Sequence, residues 1–242
     1  MRDPELNSAG TAQCDEFRES FKDDSQYITH ILSSPLSRCL DTARLALKDV
    51  LAKPVKIVPM PELQTLGGGP NGTGKSVSEL KERYGTADEL TFDEGQIAEQ
   101  KPLFDWRFIR EDWIFGKDGA GNDIWGAGKV EWRKNYVTGF LRGIIMAKEP
   151  KERVEILLVG NGSFFRILVG PKLYGTGTCF LENLSSHKIF VYADFVLTRS
   201  PDSWKGTNIR SFKFGARREL EEVSKEELIE LRNGSTQAGG DA

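Results

Sequence analysis

Residues 154–165 read VEILLVGNGSFF, an apolar run that stops at a glycine-flanked asparagine and resumes as a second apolar pattern. A continuous Val/Ile/Leu run is typical of a buried parallel strand, and the carboxyl end of such a strand opens into the crevice where α/β proteins bind ligands. We therefore expect Asn161 to lie in that crevice, between Gly160 and Gly162, which allow a sharp turn into a helix with unpaired N–H groups. A plain strand–turn–helix joint with Asn161 in a left-handed conformation fits the same residues. Local sequence leaves both interpretations open.

The charge balance of the chain excludes broad classes of partner. Its 242 residues include 33 Lys and Arg against 36 Asp and Glu, for a net charge of −3. This gives no general attraction to nucleic acid or to an anionic membrane, so any phosphate site must be local. No apolar run approaches the roughly 20 residues that span a bilayer, and the N-terminus is polar rather than signal-like. We expect a cytoplasmic protein with no nucleic-acid or membrane partner; its oligomeric state stays open.

Cysteine and histidine usage limits the chemistry further. Cys14, Cys39 and Cys179 are too few and too scattered for a disulfide framework. With His30 and His187 as the two histidines of the sequence, a metal site is not expected. We expect neither a metal nor a cofactor.

Strand and helix patterns alternate from residue 27 to residue 197. The predicted strands are 27–32, 56–60, 154–159, 188–197 and 209–214, and the predicted helices begin at Asn7, at Ser34 and Pro35, at 77 and 129, and after Asn161. Such alternation predicts an α/β fold with a largely parallel sheet covered on both faces.

One domain is expected over residues 1–215. Residues 92–128 are irregular and aromatic-rich, which favours an insertion or lid whose aromatics form local core. Residues 216–231 read as a charged, weakly amphipathic helix, and the chain after 232 reads as a disordered tail.

Arg38 is a candidate anion ligand. Ser34 offers a cap hydroxyl and Pro35 suits the first helical position, so Arg38 should fall in the first turn of that helix. Arginine is usually unfavourable beside the positive end of a helix unless an anion or carboxylate also lies there. The alternative is a solvated arginine.

Residues 69–76, GPNGTGKS, fit the phosphate-binding pattern G-x-x-x-x-G-K-[ST]. A P-loop NTPase using Lys75 and Ser76 is therefore one alternative hypothesis. Its context is poor, because Pro59 and Pro61 separate the motif from the preceding strand and the strand at 154–159 ends in Gly-Asn rather than a magnesium-binding aspartate.

Residues 33–43, SSPLSRCLDTA, resemble the S-P-L-x-R-x-x-x-T-A motif of the histidine phosphatase, or phosphoglycerate-mutase-like, superfamily. Residues 3–13 are similar to its D-P-x-L-T-x-x-G-x-x-Q segment, and residues 154–165 to its V-V-x-H-G-G-F-L segment. Residues 61–65, 73–74 and 175–182 resemble the L-Q-E, D-T-G-S and G-T-G-W-x-N-x-E motifs of a fungal branch. The resemblance covers most of residues 3–185. It implies a three-layer α/β/α domain with one phosphate pocket at the carboxyl edge of the sheet.

Members of this family use a first-strand R-H-G or R-H-A histidine as nucleophile, a second histidine and two arginines to hold the phosphoryl group, and an acid to protonate the leaving oxygen. By this resemblance the second histidine corresponds to Asn161, the glutamate of L-Q-E to Thr65, and the aspartate of D-T-G-S to Gly72, while Arg38 is kept. The sequence starts after the position of the R-H-G strand. We expect that the transcript extends upstream or that the protein is poorly stable alone.

The resemblance thus implies a degenerate active site, without phosphatase activity, that binds a small anionic or phosphorylated molecule, is repurposed, or serves as an interaction protein. The expected ligand-binding residues are Arg38, Asn161, Gly162 and Glu62. An active phosphatase from a truncated sequence is the other alternative. His30 falls inside the strand before Ser33, so we expect it to be packed in the sheet rather than catalytic.

Overall fold

The computed structural model describes residues 2–66, 69–85, 103–115, 129–148 and 154–169, together with 190–193, 211–214, 220–223, 226 and 229–230. Residues 92–102 and 116–128 of the predicted insertion, the features at 175–182 and at His187, and the tail after 232 lie outside these residues.

Seven α-helices occur in the described ranges: α1 (Ser8–Ser20), α2 (Lys22–Ser25), α3 (Ser37–Ala46), α4 (Lys48–Leu51), α5 (Val77–Tyr84), α6 (Val130–Met146) and α7 (Gly162–Val169). The strands there are β1 (His30–Ser33), β2 (Ile57–Pro59), β3 (Ile156–Gly160), β4 (Phe190–Ala193), β5 (Ser211–Phe214) and β6 (Leu220–Val223). None of the helices described is both long enough and apolar enough to cross a membrane.

The main sheet has the order β2-β1-β3-β4, and every pair of neighbours is parallel. In the centre, Ile31 pairs with Leu157, and on the other side of β3 Leu157 pairs with Phe190. β3 therefore has a partner on both sides, which explains why it reads as a continuous apolar run. The predicted α/β fold with a parallel sheet is confirmed.

Helices cover both faces of this sheet. Along β3, Leu157 and Val159 belong to the apolar core that contains α1, α3 and α5, whereas Ile156 and Leu158 belong to the core that contains α6 and α7. Successive side chains of a strand point to opposite faces, so a strand buried on both sides contributes to two cores. Burial of each such side chain stabilises the fold by roughly 1.5–3 kcal/mol. The layers run helix, sheet, helix, as expected.

The first helix begins as predicted, and the third does not. Asn7 caps α1 by accepting a hydrogen bond from the Gly10 N–H at 2.9 Å. The helix predicted from Ser34 and Pro35 begins at Ser37 instead, and the Ser34 hydroxyl lies 3.5 Å from the Leu36 nitrogen, too far for an effective cap.

The described part of the predicted insertion, residues 103–115, packs on the main domain. Phe104 forms a parallel bridge to Ile57 at the free edge of β2, and the Ile57 N–H donates to the Leu103 carbonyl at 2.8 Å. Trp106 and Trp113 are buried in the α1–α3 core. These two tryptophans are local core, as predicted, whereas Phe108 of the same segment is 49% exposed.

The helix predicted over residues 216–231 is wrong for its first part. Residues 220–223 form β6, which pairs antiparallel with β5 in a separate two-stranded sheet. The helical periodicity of this charged segment is weak, and a backbone ladder with a neighbouring strand outweighs it.

Candidate functional site

The carboxyl ends of β1, β2 and β3 meet at one edge of the sheet. The Ser34 N–H donates to the Val159 carbonyl and the Met60 N–H donates to the Ser33 carbonyl, each at 2.7 Å. These bonds continue the parallel pairing by one residue beyond the strands. Asn161, which follows β3, therefore lies at the same edge as the start of the segment that leads into α3.

Arg38 and Asn161 contact each other at this edge. The Arg38 Nη2 donates to the Asn161 Oδ1 at 2.6 Å, and its Nη1 donates to the Asn71 carbonyl at 2.9 Å. A guanidinium has only donors, so it must face the oxygen of the amide, and this fixes the orientation of Asn161. The Asn161 Nδ2 then lies 3.7 Å from the Cys39 sulfur. Asn161 is 7% exposed and Arg38 is half-buried, so the guanidinium stays partly accessible at this edge.

Gly160, the last residue of β3, allows a close approach of its neighbours at the turn into α7. A Cβ on Gly160 would lie 3.0 Å from the Leu63 carbonyl oxygen and 3.0 Å from the Phe165 ring, so a larger residue does not fit without displacement. Gly162 is the first helical residue, and the Asn161 carbonyl accepts from the Phe164 and Phe165 N–H groups at 3.0 and 3.2 Å. The first N–H groups of a helix have no partner within it and attract anions.

Asp3 caps α3 in place of the predicted Ser34. The Ser37 N–H donates to one carboxylate oxygen of Asp3 at 2.9 Å, and the Ser37 hydroxyl donates to the other at 2.7 Å. Asp3 is 1% exposed and has a φ of 47°, a left-handed conformation that aspartate tolerates better than most residues. A carboxylate therefore already lies at the N-terminal end of α3, where the partial positive charge of a helix favours an anion.

Residues 69–76 do not form a phosphate-binding loop. The Gly72 and Thr73 N–H groups donate back to the carbonyls of Gly69 and Pro70, at 2.8 and 3.3 Å, in a short 3-10 turn. The Lys75 ammonium lies 3.4 Å from the Glu5 carboxylate. A P-loop must keep such N–H groups free for phosphate and must follow a buried strand, so this geometry contradicts the NTPase alternative.

Thr65 contacts the first turn of α7. Its hydroxyl lies 2.9 Å from the Ser163 hydroxyl, which also accepts from the Leu66 N–H at 3.2 Å. Thr65 is half-buried and Ser163 is exposed. A threonine hydroxyl cannot replace a carboxylic acid as proton donor to a leaving group, because its pKa is far too high.

Glu62 faces a different group of side chains. Burial raises the pKa of its carboxyl, and the guanidinium of Arg133 on α6 partly offsets the increase. The charge of Glu62 in turn contributes to the raised pKa of Tyr136, of which burial is the main cause. The Glu62 side chain thus interacts with α6, whereas Arg38 and Asn161 contact each other across the ends of α3 and α7.

His30 lies at the opposite end of β1 from this site. It pairs with Ile156, the first residue of β3, so three residue steps, or about 10 Å, separate it from the carboxyl end. Its Nδ1 lies 2.8 Å from the Thr29 hydroxyl, and burial lowers its pKa. His30 is packed in the sheet, as expected.

Sequence reasoning missed Asp3, Gln64, Arg133 and Ser163 as parts of this region. The D-P-x-L resemblance at residues 3–13 was the available signal for Asp3, but it gave no role. Arg133 carried no signal, because its partners are 69 and 71 residues away along the chain. Within the described ranges, no group of three or more His, Cys, Asp or Glu residues is arranged to hold a metal ion.

Comparisons with known proteins bear on the N-terminal part of the chain. No curated protein matches this sequence. The first 106 residues, which carry Asp3, Arg38, Thr65 and Gly72 but not Asn161, match the family model of the histidine phosphatase superfamily (branch 1), and this match supports a phosphoglycerate-mutase-like scaffold.

Proposed function

We propose that the whole chain is a phosphoglycerate-mutase-like scaffold of the histidine phosphatase superfamily, from its fungal branch, that binds a small anionic or phosphorylated molecule without transferring a phosphoryl group. The observation that carries this proposal is the hydrogen bond of 2.6 Å between Arg38 and Asn161 at the carboxyl edge of the sheet. The proposal also includes a cytoplasmic location and no nucleic-acid or membrane partner, in keeping with the net charge of −3.

The residues at this edge are suited to hold an anion. The Arg38 guanidinium supplies a permanent positive charge in a planar fork of donors that matches phosphate and carboxylate oxygens. Its bonds to the Asn71 carbonyl and the Asn161 amide restrict its orientation before a ligand arrives. A ligand oxygen that replaces Asn161 as acceptor would still find the amide N–H₂ and the N–H groups of Gly162 and Ser163, at the start of α7, nearby.

The same residues are poorly suited to phosphoryl transfer. The nitrogen lone pair of the Asn161 amide is delocalised into its carbonyl, so it cannot form the bond to phosphorus that an imidazole forms. Thr65 and Gly72 bring no carboxylic acid to protonate a leaving oxygen. General acid–base catalysis alone contributes roughly 10²–10⁴-fold, so losing the acid together with an imidazole leaves little rate enhancement.

Isothermal titration calorimetry of the full chain with inorganic phosphate and with vanadate tests the proposal. We expect weak, saturable binding that Arg38→Ala lowers by about tenfold or more, since one charge-assisted contact contributes about 1.5–3 kcal/mol. Arg44→Ala is the matched control: it removes an arginine from the same helix, where its guanidinium lies 3.7 Å from Asp41. Its affinity should equal that of the wild type.

Two results would reject the proposal. Equal binding by the wild type and Arg38→Ala would remove Arg38 as the anchor. Hydrolysis of p-nitrophenyl phosphate by the purified chain, lost in Asn161→Ala, would show that phosphoryl transfer persists at this site.

A further inference from the structure

Arg133 of α6 is a buried charge that contacts two segments at once. It is 0% exposed, and its Nε and Nη2 donate to the Glu62 carbonyl at 3.2 and 2.8 Å. The Nη2 also donates to the Gln64 carbonyl. The guanidinium carbon lies 4.4 Å from the ring centroid of Phe164 in α7. A single side chain thus joins residues 62–64 to the first half of α7.

Because Arg133 is buried, its hydrogen bonds restrict the conformation of the segment that it contacts. Desolvation lowers the pKa of Arg133 to about 10, and the Glu62 carboxylate acts in the opposite direction. A charge removed from water is tolerated where its hydrogen-bonding groups are satisfied, so the backbone carbonyls must stay where the guanidinium can reach them. Arg133 therefore restricts the conformation of residues 62–64 more strongly than an exposed arginine would.

Residues 64 and 65 transmit this restraint to the two sides of the site. The Gln64 side chain is 6% exposed and donates to the Gly72 carbonyl. Gly72 follows Asn71, whose carbonyl accepts from Arg38 at 2.9 Å. On the other side, the Thr65 hydroxyl contacts Ser163 in the first turn of α7.

We propose that Arg133 is a positioning residue for the anion site: it holds the carbonyls of Glu62 and Gln64, and so fixes the segment that supports Asn71 behind Arg38. Arg133 itself does not touch the ligand. This inference rests on the proposed anion site. It assigns to a buried arginine of α6 a part in ligand affinity rather than in stability alone.

The test compares phosphate and vanadate affinity of full-length variants by calorimetry. Arg133→Gln should weaken binding by about tenfold, the lower end of the loss seen in metal sites when a residue that orients a ligand is removed. Arg133→Lys keeps the charge but not the planar fork, so its affinity should lie between those of the wild type and Arg133→Gln. Gln64→Leu removes the hydrogen bond to the Gly72 carbonyl and should also weaken binding. If both act through the same segment, the double variant should bind no more weakly than Arg133→Gln.

Leu141→Ala is the control for a general loss of stability. Leu141 is also 0% exposed and lies on α6 in the same apolar core as Leu63, but its side chain has no donor for the Glu62 and Gln64 carbonyls. We expect its phosphate affinity to equal that of the wild type at a temperature where it remains folded. Each affinity is measured on protein with the circular dichroism spectrum of the wild type.

The outcomes separate this inference from the proposed function. Absence of binding by the wild type rejects the anion site itself. Normal affinity in Arg133→Gln, with binding lost in Arg38→Ala, keeps the site but overturns the role of Arg133. Equal weakening by Leu141→Ala also overturns it, because stability would then explain the effect. Should Arg133→Gln not fold, normal affinity in Gln64→Leu would overturn the proposed link.

Discussion

Removal of the Asp3 carboxylate should destabilise the domain, because it deprives two buried donors of their acceptor. Asp3→Ala leaves the Ser37 N–H and hydroxyl without the partners they have at 2.9 and 2.7 Å. A hydrogen bond to a charged group contributes about 1.5–3 kcal/mol, and loss of a helix cap costs about 1 kcal/mol in less buried settings. Alanine at a φ of 47° adds about 1 kcal/mol. The free energy of unfolding should fall by about 2–4 kcal/mol.

Urea unfolding of the full chain, followed by tryptophan fluorescence and circular dichroism, measures this change. Asp3→Asn should lose less, about 1 kcal/mol, because its amide oxygen can still accept from the Ser37 N–H and asparagine tolerates the left-handed conformation. Asp15→Ala is the matched control, since it removes a carboxylate that is 56% exposed and paired with Arg18. Its free energy of unfolding should change by less than about 1 kcal/mol, the usual contribution of one surface ion pair.

An unfolding midpoint of Asp3→Ala equal to that of Asp15→Ala would refute the reasoning. It would mean that the Asp3 carboxylate does not satisfy the end of α3. The slope of the transition must be the same in all variants for this comparison, since a changed slope reports a changed unfolded or native state.

Three further results are expected. Gly160→Ala should lower the free energy of unfolding by about 1–3 kcal/mol, because the new Cβ would meet a carbonyl oxygen and an aromatic ring at 3.0 Å; an unchanged unfolding midpoint would contradict this. Lys75→Ala removes an exposed ion pair with Glu5 and should change stability by less than about 1 kcal/mol, and magnesium–ATP should bind neither form. The pKa of His30 is lower in the folded state than its ordinary value of 6.5, so the unfolded state binds more protons as pH falls. Stability should therefore decrease below about pH 6.5, and His30→Gln should reduce this slope in urea unfolding measured from pH 7.5 to 5.

The order of strands and helices could be predicted because the core patterns are local. β3 is buried on both faces and reads as an unbroken apolar run. The buried residues of α6 recur at helical spacing. The pair of Arg38 and Asn161 could also be anticipated, since each follows the end of a strand and parallel strands bring their carboxyl ends to one edge.

The contacts that support the site could not be predicted, because they join residues far apart in sequence. Asp3 caps a helix that begins 34 residues later, and Arg133 binds a carbonyl 71 residues earlier. A local cap at Ser34 was the simpler expectation, and a buried carboxylate replaced it. The strand at residues 220–223 could not be predicted for the same reason, because it forms by pairing with β5 and not from the periodicity of its own residues.

A crystal structure of the full chain with vanadate tests the central claim most directly. The account predicts an anion held by the Arg38 guanidinium and the Asn161 amide nitrogen, with donor–acceptor distances of about 2.7–3.1 Å and no bond from vanadium to a protein atom. A covalent bond from vanadium to a side chain at this edge, or an anion bound elsewhere with the Arg38–Asn161 contact intact, would contradict it.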